Sequence, residues 1–290
     1  SKPHFDVSLL EVVDHIKGAV ISDRFNNTAQ GIRKFGQWLR SKKVPFNEHT
    51  LIVIENTGIY HRLLWAYCSR KNLQLHIGNA AHIKWSFGIA RGKSDKIDSR
   101  RLCYYACKES DMLKSTPALN PVLLQLKDLM TARTKLLSQV NSIKTFIGEL
   151  KNVSEKGTQK TLEQSYKKAI EGMLSSIKSL EVEIKKLIAE NQDIQKNYKL
   201  LLSVPGIGHF TAVYLIGCTN NFAGKISGKQ LASYAGVVPF EYSSGISVRG
   251  RKKVHPMANK ELKSMLYMCA MSAIQHYPEF KQYYERKEKE

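Results

Sequence analysis

Acidic residues are scarce in this chain: its 290 residues carry 25 Asp and Glu against 45 Lys and Arg, a formal net charge of +20. An excess of that size points to a polyanionic partner, of which nucleic acid is the commonest. Long apolar runs are missing too. None approaches the roughly 18–20 residues of a membrane span, and no strongly amphipathic basic helix carries Trp or Phe on its other face as a membrane-surface segment would. Cysteine is sparse and lacks pattern. Cys68, Cys103, Cys107, Cys218 and Cys269 are odd in number and form no Cys-x-x-Cys, which argues against a secreted disulfide framework and for a reducing cytoplasm. Cys103 and Cys107 stand four apart on a predicted helix, but no further Cys or His follows at a zinc spacing, so they read as packed thiols. The chain starts at Ser1 with no Met and no signal peptide, as a fragment or a processed chain does. What remains, 42% hydrophobic with a mean hydropathy of −0.33, is a globular composition long enough for two or three domains.

Along the chain, residues 4–25 read as two strands, with Phe5, Val7 and Leu9 alternating and Ala19-Val20-Ile21 following. Residues 28–42 predict an amphipathic helix carrying Ile32, Phe35 and Leu39. The unbroken apolar run Leu51-Ile52-Val53-Ile54 predicts a central strand buried on both faces, ending at Glu55. A helix near 60–71, a strand near 73–78 and further helices complete an α/β unit with a mixed sheet. Past Pro117 and Pro121, Leu126, Leu129, Leu136, Val140, Ile143, Ile147 and Leu150 fall on a heptad seam with Arg133 as a polar intruder; a second seam runs Ile170, Met173, Ile177, Leu180, Ile184, Leu187. Two such helices predict an antiparallel hairpin or an oligomerising coiled coil, and an ordinary two-helix spacer has the same pattern. From Ile194 to Pro278 there are ten Lys and Arg but only Glu241 and Glu261 as acids, the balance that phosphate contacts demand.

Three constellations carry chemistry. Between Glu48 and Glu109 the only acids are Glu55, Asp95 and Asp98. Glu55 ends a buried strand, where α/β sheets put their sites, and Asp95 and Asp98 share one face of a helical turn. Hard divalent cations take carboxylate oxygens and can clamp a phosphodiester; the same two aspartates also simply suit a helix N-terminus. Next, Ser203-Val204-Pro205-Gly206-Ile207-Gly208 predicts a turn between helices whose backbone N–H groups meet phosphate, as in a helix-hairpin-helix, or a plain turn. Finally, Tyr242 to Lys253 reads as a polar Ser/Gly loop running into Arg249, Arg251, Lys252 and Lys253. Cations beside a serine can stabilise a phosphoryl transition state, and they equally make a DNA-contacting loop.

These pieces resemble the DEDD transposases of the IS110 insertion-sequence family, a group that includes Piv-type DNA invertases and bridge-RNA-guided recombinases. The resemblance rests on Ile54-Glu55-Asn56-Thr57-Gly58-Ile59-Tyr60, Lys93-Ser94-Asp95-Lys96-Ile97-Asp98-Ser99-Arg100, Val204-Pro205-Gly206-Ile207-Gly208, and Tyr234-Ala235-Gly236-Val237-Val238-Pro239 running into Ser244-Gly245. It covers essentially the whole chain. It implies an α/β plus α architecture: a RuvC-like, RNase H-like domain (1–115) with its first strand truncated, an antiparallel coiled-coil hairpin (116–198), and a mostly helical transposase domain with a helix-hairpin-helix (199–290). It implies that Glu55, Asp95 and Asp98 are three of four acids binding Mg2+, and that Ser244 is a nucleophile that joins DNA, with Ser243 as its alternative. The family's first acid lies in a Gly-Ile-Asp-Val-Ser-Lys-like stretch that Ser1–Val7 follows, so Asp6 matches a second, non-catalytic Asp; a different alignment makes Asp6 the ligand. The chain also stops at Glu290, short of further helices such proteins usually carry.

The implied activity is DNA recombination or transposition on double-stranded donor and target DNA, with a guide non-coding RNA. The implied assembly is a homodimer or homotetramer in the bacterial cytoplasm, associated with the nucleoid during reaction. Gly206, Gly208, Arg249, Arg251, Lys252 and Lys253 are the expected nucleic-acid contacts. Two rivals use the same residues differently: a junction-resolving nuclease with water as nucleophile, and a non-catalytic nucleic-acid-binding scaffold.

Overall fold

A computed structural model describes residues 3–88, 92, 94–151, 153, 155–224, 226–244, 248–255 and 257–290, with side chains outside 156, 241–244, 248 and 249. The chain forms two compact units, Ser1–Leu119 and Asn120–Glu290.

In the first unit β1 (His4–Leu9) pairs antiparallel with β4 (Ile21–Asn26), from His4↔Asn26 to Leu9↔Ile21. A small hairpin, β2 (Val12–Val13) and β3 (Ile16–Lys17), joins them, turning through Asp14 and His15, both at positive φ. That is the backbone a two-residue hairpin turn requires. Alternation gives β1 two chemically different faces. Phe5 and Val7 pack with Phe25 under α1 (Ala29–Ser41), whose Ile32, Phe35 and Leu39 are buried. Thr28 caps α1 by accepting from the Gly31 N–H. His4, Asp6 and Ser8 face the other way, toward α4 (Asp95–Lys108), where the Ser8 and buried Ser99 hydroxyls lie 2.8 Å apart.

The parallel pair is β5 (Leu51–Glu55) and β6 (Gln74–Gly78), connected by α2 (Arg62–Arg70); α3 (Ala80–Ser86) follows. Helix α4 packs on both β1 and β5. The segment after α4 returns along the outer edge of β6: the Thr116 N–H donates to the Leu75 carbonyl (2.6 Å) and its Oγ1 accepts from the Ile77 N–H (2.9 Å). The structure departs from expectation at β5. Among the described residues β5 pairs with β6 alone, β1 pairs with β4 alone, and Leu51 to Ile54 are half-buried, not enclosed on both faces in one mixed sheet. An apolar run reports what a strand can bury, not whether both its edges are paired.

The second unit opens with α5 (Pro121–Leu150), capped by Asn120 with Pro121 in its first turn, and α6 (Lys156–Glu190). The two run antiparallel: Arg133 pairs with Glu181 and the Phe146 ring meets that of Tyr166. The apolar residues of both seams are buried or half-buried. At the base of the pair, Leu123, Leu126, Met130, Ile184, Leu187 and Ile188 pack with Ile194 of α7 (Gln192–Leu202) and Val213 and Ile216 of α8 (His209–Cys218). The intruder Arg133 belongs there: its Nε donates to Glu181 Oε1 at 2.8 Å while its guanidinium lies 3.3 Å over the Phe210 ring. Helix α9 (Gly228–Ala235) carries a capping box between Ser227 and Gln230. An antiparallel ribbon follows, β7 (Phe240–Ser244) and β8 (Val248–Lys253), then α10 (Lys260–His276) and the exposed α11 (Pro278–Lys289). The stretch expected as a loop is therefore largely strand, hidden in sequence because a run of Lys, Arg, Ser and Gly carries little β-propensity.

Candidate acidic centre and nucleic-acid interface

The acids gather where β1 meets the start of α4. Ser94 caps α4 by accepting from the Ile97 N–H, which sets Asp95 and Asp98 in the first helical turn. Asp95 Oδ2 lies 3.5 Å from His4 Nε2. One ligand atom each from His4, Asp6 and Asp95 falls within 4.8 Å of the others. The Asp6 carboxylate is nearly buried and held by Arg24, which donates from Nε to Oδ1 (3.0 Å) and from Nη2 to Oδ2 (3.1 Å). That hydrogen bond raises the Arg24 pKa above its ordinary value, so the pair keeps Asp6 fixed in orientation.

Two carboxylates and an imidazole form a donor set that fits a divalent cation, and each Asp6 oxygen keeps lone-pair capacity beyond its bond to Arg24. Among the described residues Glu55 and Asp98 belong to no such three-ligand group. Glu55 is exposed at the carboxyl end of β5, its Cα opposite Gly78. Asp98 Oδ1 accepts from Arg101 Nη1 at 3.1 Å. The Lys93 that opens this motif lies outside the described residues. His4 belongs to none of the sequence motifs. Its signal is the two-residue spacing from Asp6, which places both on one face of a strand, opposite the more conspicuous apolar face of Phe5, Val7 and Leu9.

The cysteines play no part here. All are free thiols, and burial pushes Cys68 up to about 12 and Cys103 and Cys218 up to about 11, which keeps them protonated and poor as ligands or nucleophiles.

In the second unit Gly206 and Gly208 sit in the turn from α7 to α8. Gly206 has φ +83°, and a Cβ there would lie 2.3 Å from the Cys269 carbonyl oxygen, so only glycine lets the turn seat against α10. Gly208 caps α8 without a side-chain bond. In the ribbon, Ser243 opposes Arg249 and Ser244 opposes Val248; the side chains of Ser243, Ser244 and Arg249, and Gly245 itself, lie outside what is described. Arg251, Lys252 and Lys253 are exposed. Exposed cations on an antiparallel ribbon, and a glycine turn at a helix start, are each features that can meet phosphate.

Comparison with known proteins bears on both units. A model of IS110-type DEDD transposases, described as "Transposase", matches residues 1–150, and one described as "Transposase IS116/IS110/IS902 family" matches residues 198–285. The pilin gene-inverting proteins of Moraxella bovis and Moraxella lacunata are each 29% identical over 273 residues, 91% of this chain and 80% of their own length. An uncharacterized 43.6 kDa protein of insertion element IS110 in Streptomyces coelicolor is 32% identical over 87 residues, 30% of this chain and 21% of its own.

Proposed function

The chain belongs to the IS110 family of DEDD transposases, site-specific DNA recombinases, and from that premise we propose that it cuts and exchanges DNA strands with a serine nucleophile, a Mg2+-binding acidic site and a bridge RNA as guide. The observation that carries the reading is the gathering of Asp95, Asp6 and His4 in a chain of net charge +20: two carboxylates beside an imidazole, in a cationic chain, offer a divalent cation a place beside a phosphodiester. Asp95, Glu55 and Asp98 are the family acids, and Asp6 and His4 add donors beside Asp95. A bound divalent cation would neutralise charge on the phosphate oxygens. The Moraxella relatives are named for gene inversion, and inversion and transposition share the same strand exchange.

In the covalent step Ser244 Oγ, or Ser243 Oγ in its place, bonds to phosphorus as one P–O bond to deoxyribose breaks. The proton given up by Oγ is matched by the one that the departing oxygen gains to become a hydroxyl. The chain is then joined to DNA as a phosphoserine diester, and attack by the hydroxyl of the exchanging strand restores the free serine. Gly206 and Gly208 supply backbone N–H groups to phosphate; Arg249, Arg251, Lys252 and Lys253 supply charge. Three functional segments follow: the RuvC-like domain to residue 115, a coiled coil over 116–198, and the serine-bearing domain from 199. The paired apolar seams of α5 and α6 support the coiled-coil hairpin, and the protomers assemble as dimers or tetramers.

The test is a suicide-substrate reaction with labelled DNA, the flanking-element RNA and Mg2+, resolved under denaturing conditions with and without protease. A protease-sensitive protein–DNA band in wild type that Ser244→Ala abolishes supports the reading. Cleaved DNA with no covalent band in either chain points to water as nucleophile. Tight binding with no cleavage, unaltered by Glu55→Ala or Asp98→Ala, leaves a scaffold.

A further inference from the structure

Both roots of the β7–β8 ribbon converge on one residue. The chain enters the ribbon from the end of α9 and leaves it through residues 254–258 to Asn259, the N-cap of α10. The Asn259 side chain reaches both ways from there. Its Oδ1 accepts from the Leu262 N–H (3.0 Å) and lies 3.1 Å from the Tyr214 hydroxyl, while its Nδ2 donates to the Tyr234 hydroxyl at 3.1 Å. Its own N–H donates to the Tyr234 carbonyl at 2.8 Å. The Tyr214 hydroxyl also lies 3.2 Å from Glu261 Oε2, so its one proton is shared between two acceptors. The roots also touch directly. Gly236 takes a left-handed conformation at φ +69°, and a Cβ there would lie 2.4 Å from the Ala258 Cβ and 2.9 Å from the Val254 Cγ1.

We infer that Asn259, bonded to Tyr234 and Tyr214, is a positioning clamp that fixes the aim of the β7–β8 ribbon, and with it the serine that ribbon carries. The inference rests on the serine reading proposed above. The physical argument is leverage: a two-stranded ribbon whose residues 250–253 are exposed has its direction set at its base. Capping α10 alone requires only the Asn259 Oδ1 bond to Leu262. The Nδ2 bond to Tyr234 adds nothing to the cap and ties α9 to α10 across the mouth of the ribbon. The part assigned to Tyr234 and Asn259 is geometric: they act through the ribbon as positioning residues. A displacement of about 1 Å at a reacting group costs on the order of a hundredfold in rate.

The experiment uses the full chain with wild type, Tyr234→Phe, Asn259→Ser and the double variant. Asn259→Ser keeps a capping acceptor for the Leu262 N–H and is too short to reach the Tyr234 hydroxyl; Tyr234→Phe removes only that hydroxyl. Single-turnover formation of the serine–DNA adduct, DNA affinity, and amide hydrogen exchange are followed together. Each single variant is expected to slow adduct formation by about tenfold or more, with DNA affinity within about twofold of wild type and the double variant no slower than the slower single, since both remove the same bond. Exchange should quicken at the β7 and β8 amides and stay unchanged in α5 and α6. Wild-type adduct rates in Tyr234→Phe and Asn259→Ser overturn the inference. If wild type itself forms no adduct that depends on Ser244, the serine reading fails and the role in reaction falls with it. Exchange then judges the clamp alone, and unaltered ribbon protection in Tyr234→Phe overturns that too.

Discussion

Two antiparallel ribbons in this protein are put to opposite uses. The β1–β4 ribbon carries Phe5, Val7 and Phe25 into a core under α1 and turns its polar face to α4. The β7–β8 ribbon holds Arg251, Lys252 and Lys253 in solvent and is tied at its base to α9 and α10. The first uses side-chain packing to hold one ligand atom each of His4, Asp6 and Asp95 within 4.8 Å of one another. The second leaves its cations exposed, as the proposed contact with a polyanion requires. A ribbon that gathers side chains and one that displays them therefore stand in different relations to a core, and sequence alternation marks only the first.

The strongest way to break that contrast is through the core of the first ribbon. Phe35 is 2% exposed and meets Phe5, Phe25, Trp38 and Tyr67 ring to ring. Phe35→Ala is expected to destabilise unit 1 by about 3–5 kcal/mol. Urea unfolding followed by tryptophan fluorescence measures this cleanly, because Trp38, Trp65 and Trp85 all belong to residues 1–119. Loss of tryptophan and helix signals together would mean that the two units do not unfold separately.

A smaller effect probes what supports the second unit. Glu181→Gln removes the charged partner of Arg133, whose side chain is 15% exposed. The expected cost is about 1–3 kcal/mol, that of leaving a largely desolvated group with a weaker acceptor, read by circular dichroism with the tryptophan transition unmoved. Beside that pair, burial first, then Lys185 and Arg133, lower the pKa of His209, whose Nδ1 lies 2.6 Å from the Tyr198 hydroxyl. A folded pKa below the unfolded value means the unfolded chain binds more protons between the two. Stability is then full above about pH 6.5 and falls as pH drops through that window. The helix transition should move to lower urea between neutral and mildly acid pH, and His209→Gln should flatten the slope; an unchanged slope in the variant sinks the assignment.

The smallest stability effect belongs to the second ribbon. Arg251→Ala with Lys253→Ala should change stability by less than about 0.5 kcal/mol, yet lower the slope of log affinity against log salt by about 0.9 for each phosphate left without its cation. A large stability loss would show that this ribbon is packed after all and would erase the contrast.

Much of the first unit could be read from residue order. Helix α1 announced itself through Ile32, Phe35 and Leu39, and the first turn of α4 through Ser94, Asp95 and Asp98, because capping and periodicity are local physics. What eluded the sequence was relational. The half-burial of β5 depends on which edges are paired, and Arg133 looked out of place in a seam until Glu181 and Phe210 supplied its partners. His4 joined Asp95 only through folding across some ninety positions of chain. The ribbon at 240–253 has weak local preference, and tertiary anchoring at Asn259, invisible to any window of sequence, accompanies its strands.

One stitch in the first unit bears on how this protein tolerates crowding. A strand edge with unpaired N–H and carbonyl groups is a template on which a neighbouring chain can grow. Thr116 occupies two of those groups on the outer side of β6, the Leu75 carbonyl with its amide and the Ile77 N–H with its hydroxyl. In free solution mutual repulsion at +20 would hold copies apart. Once many copies gather on a nucleic acid that cancels their charge, that repulsion is gone, while the two backbone hydrogen bonds to Thr116, which salt does not screen, still cover that part of the β6 edge.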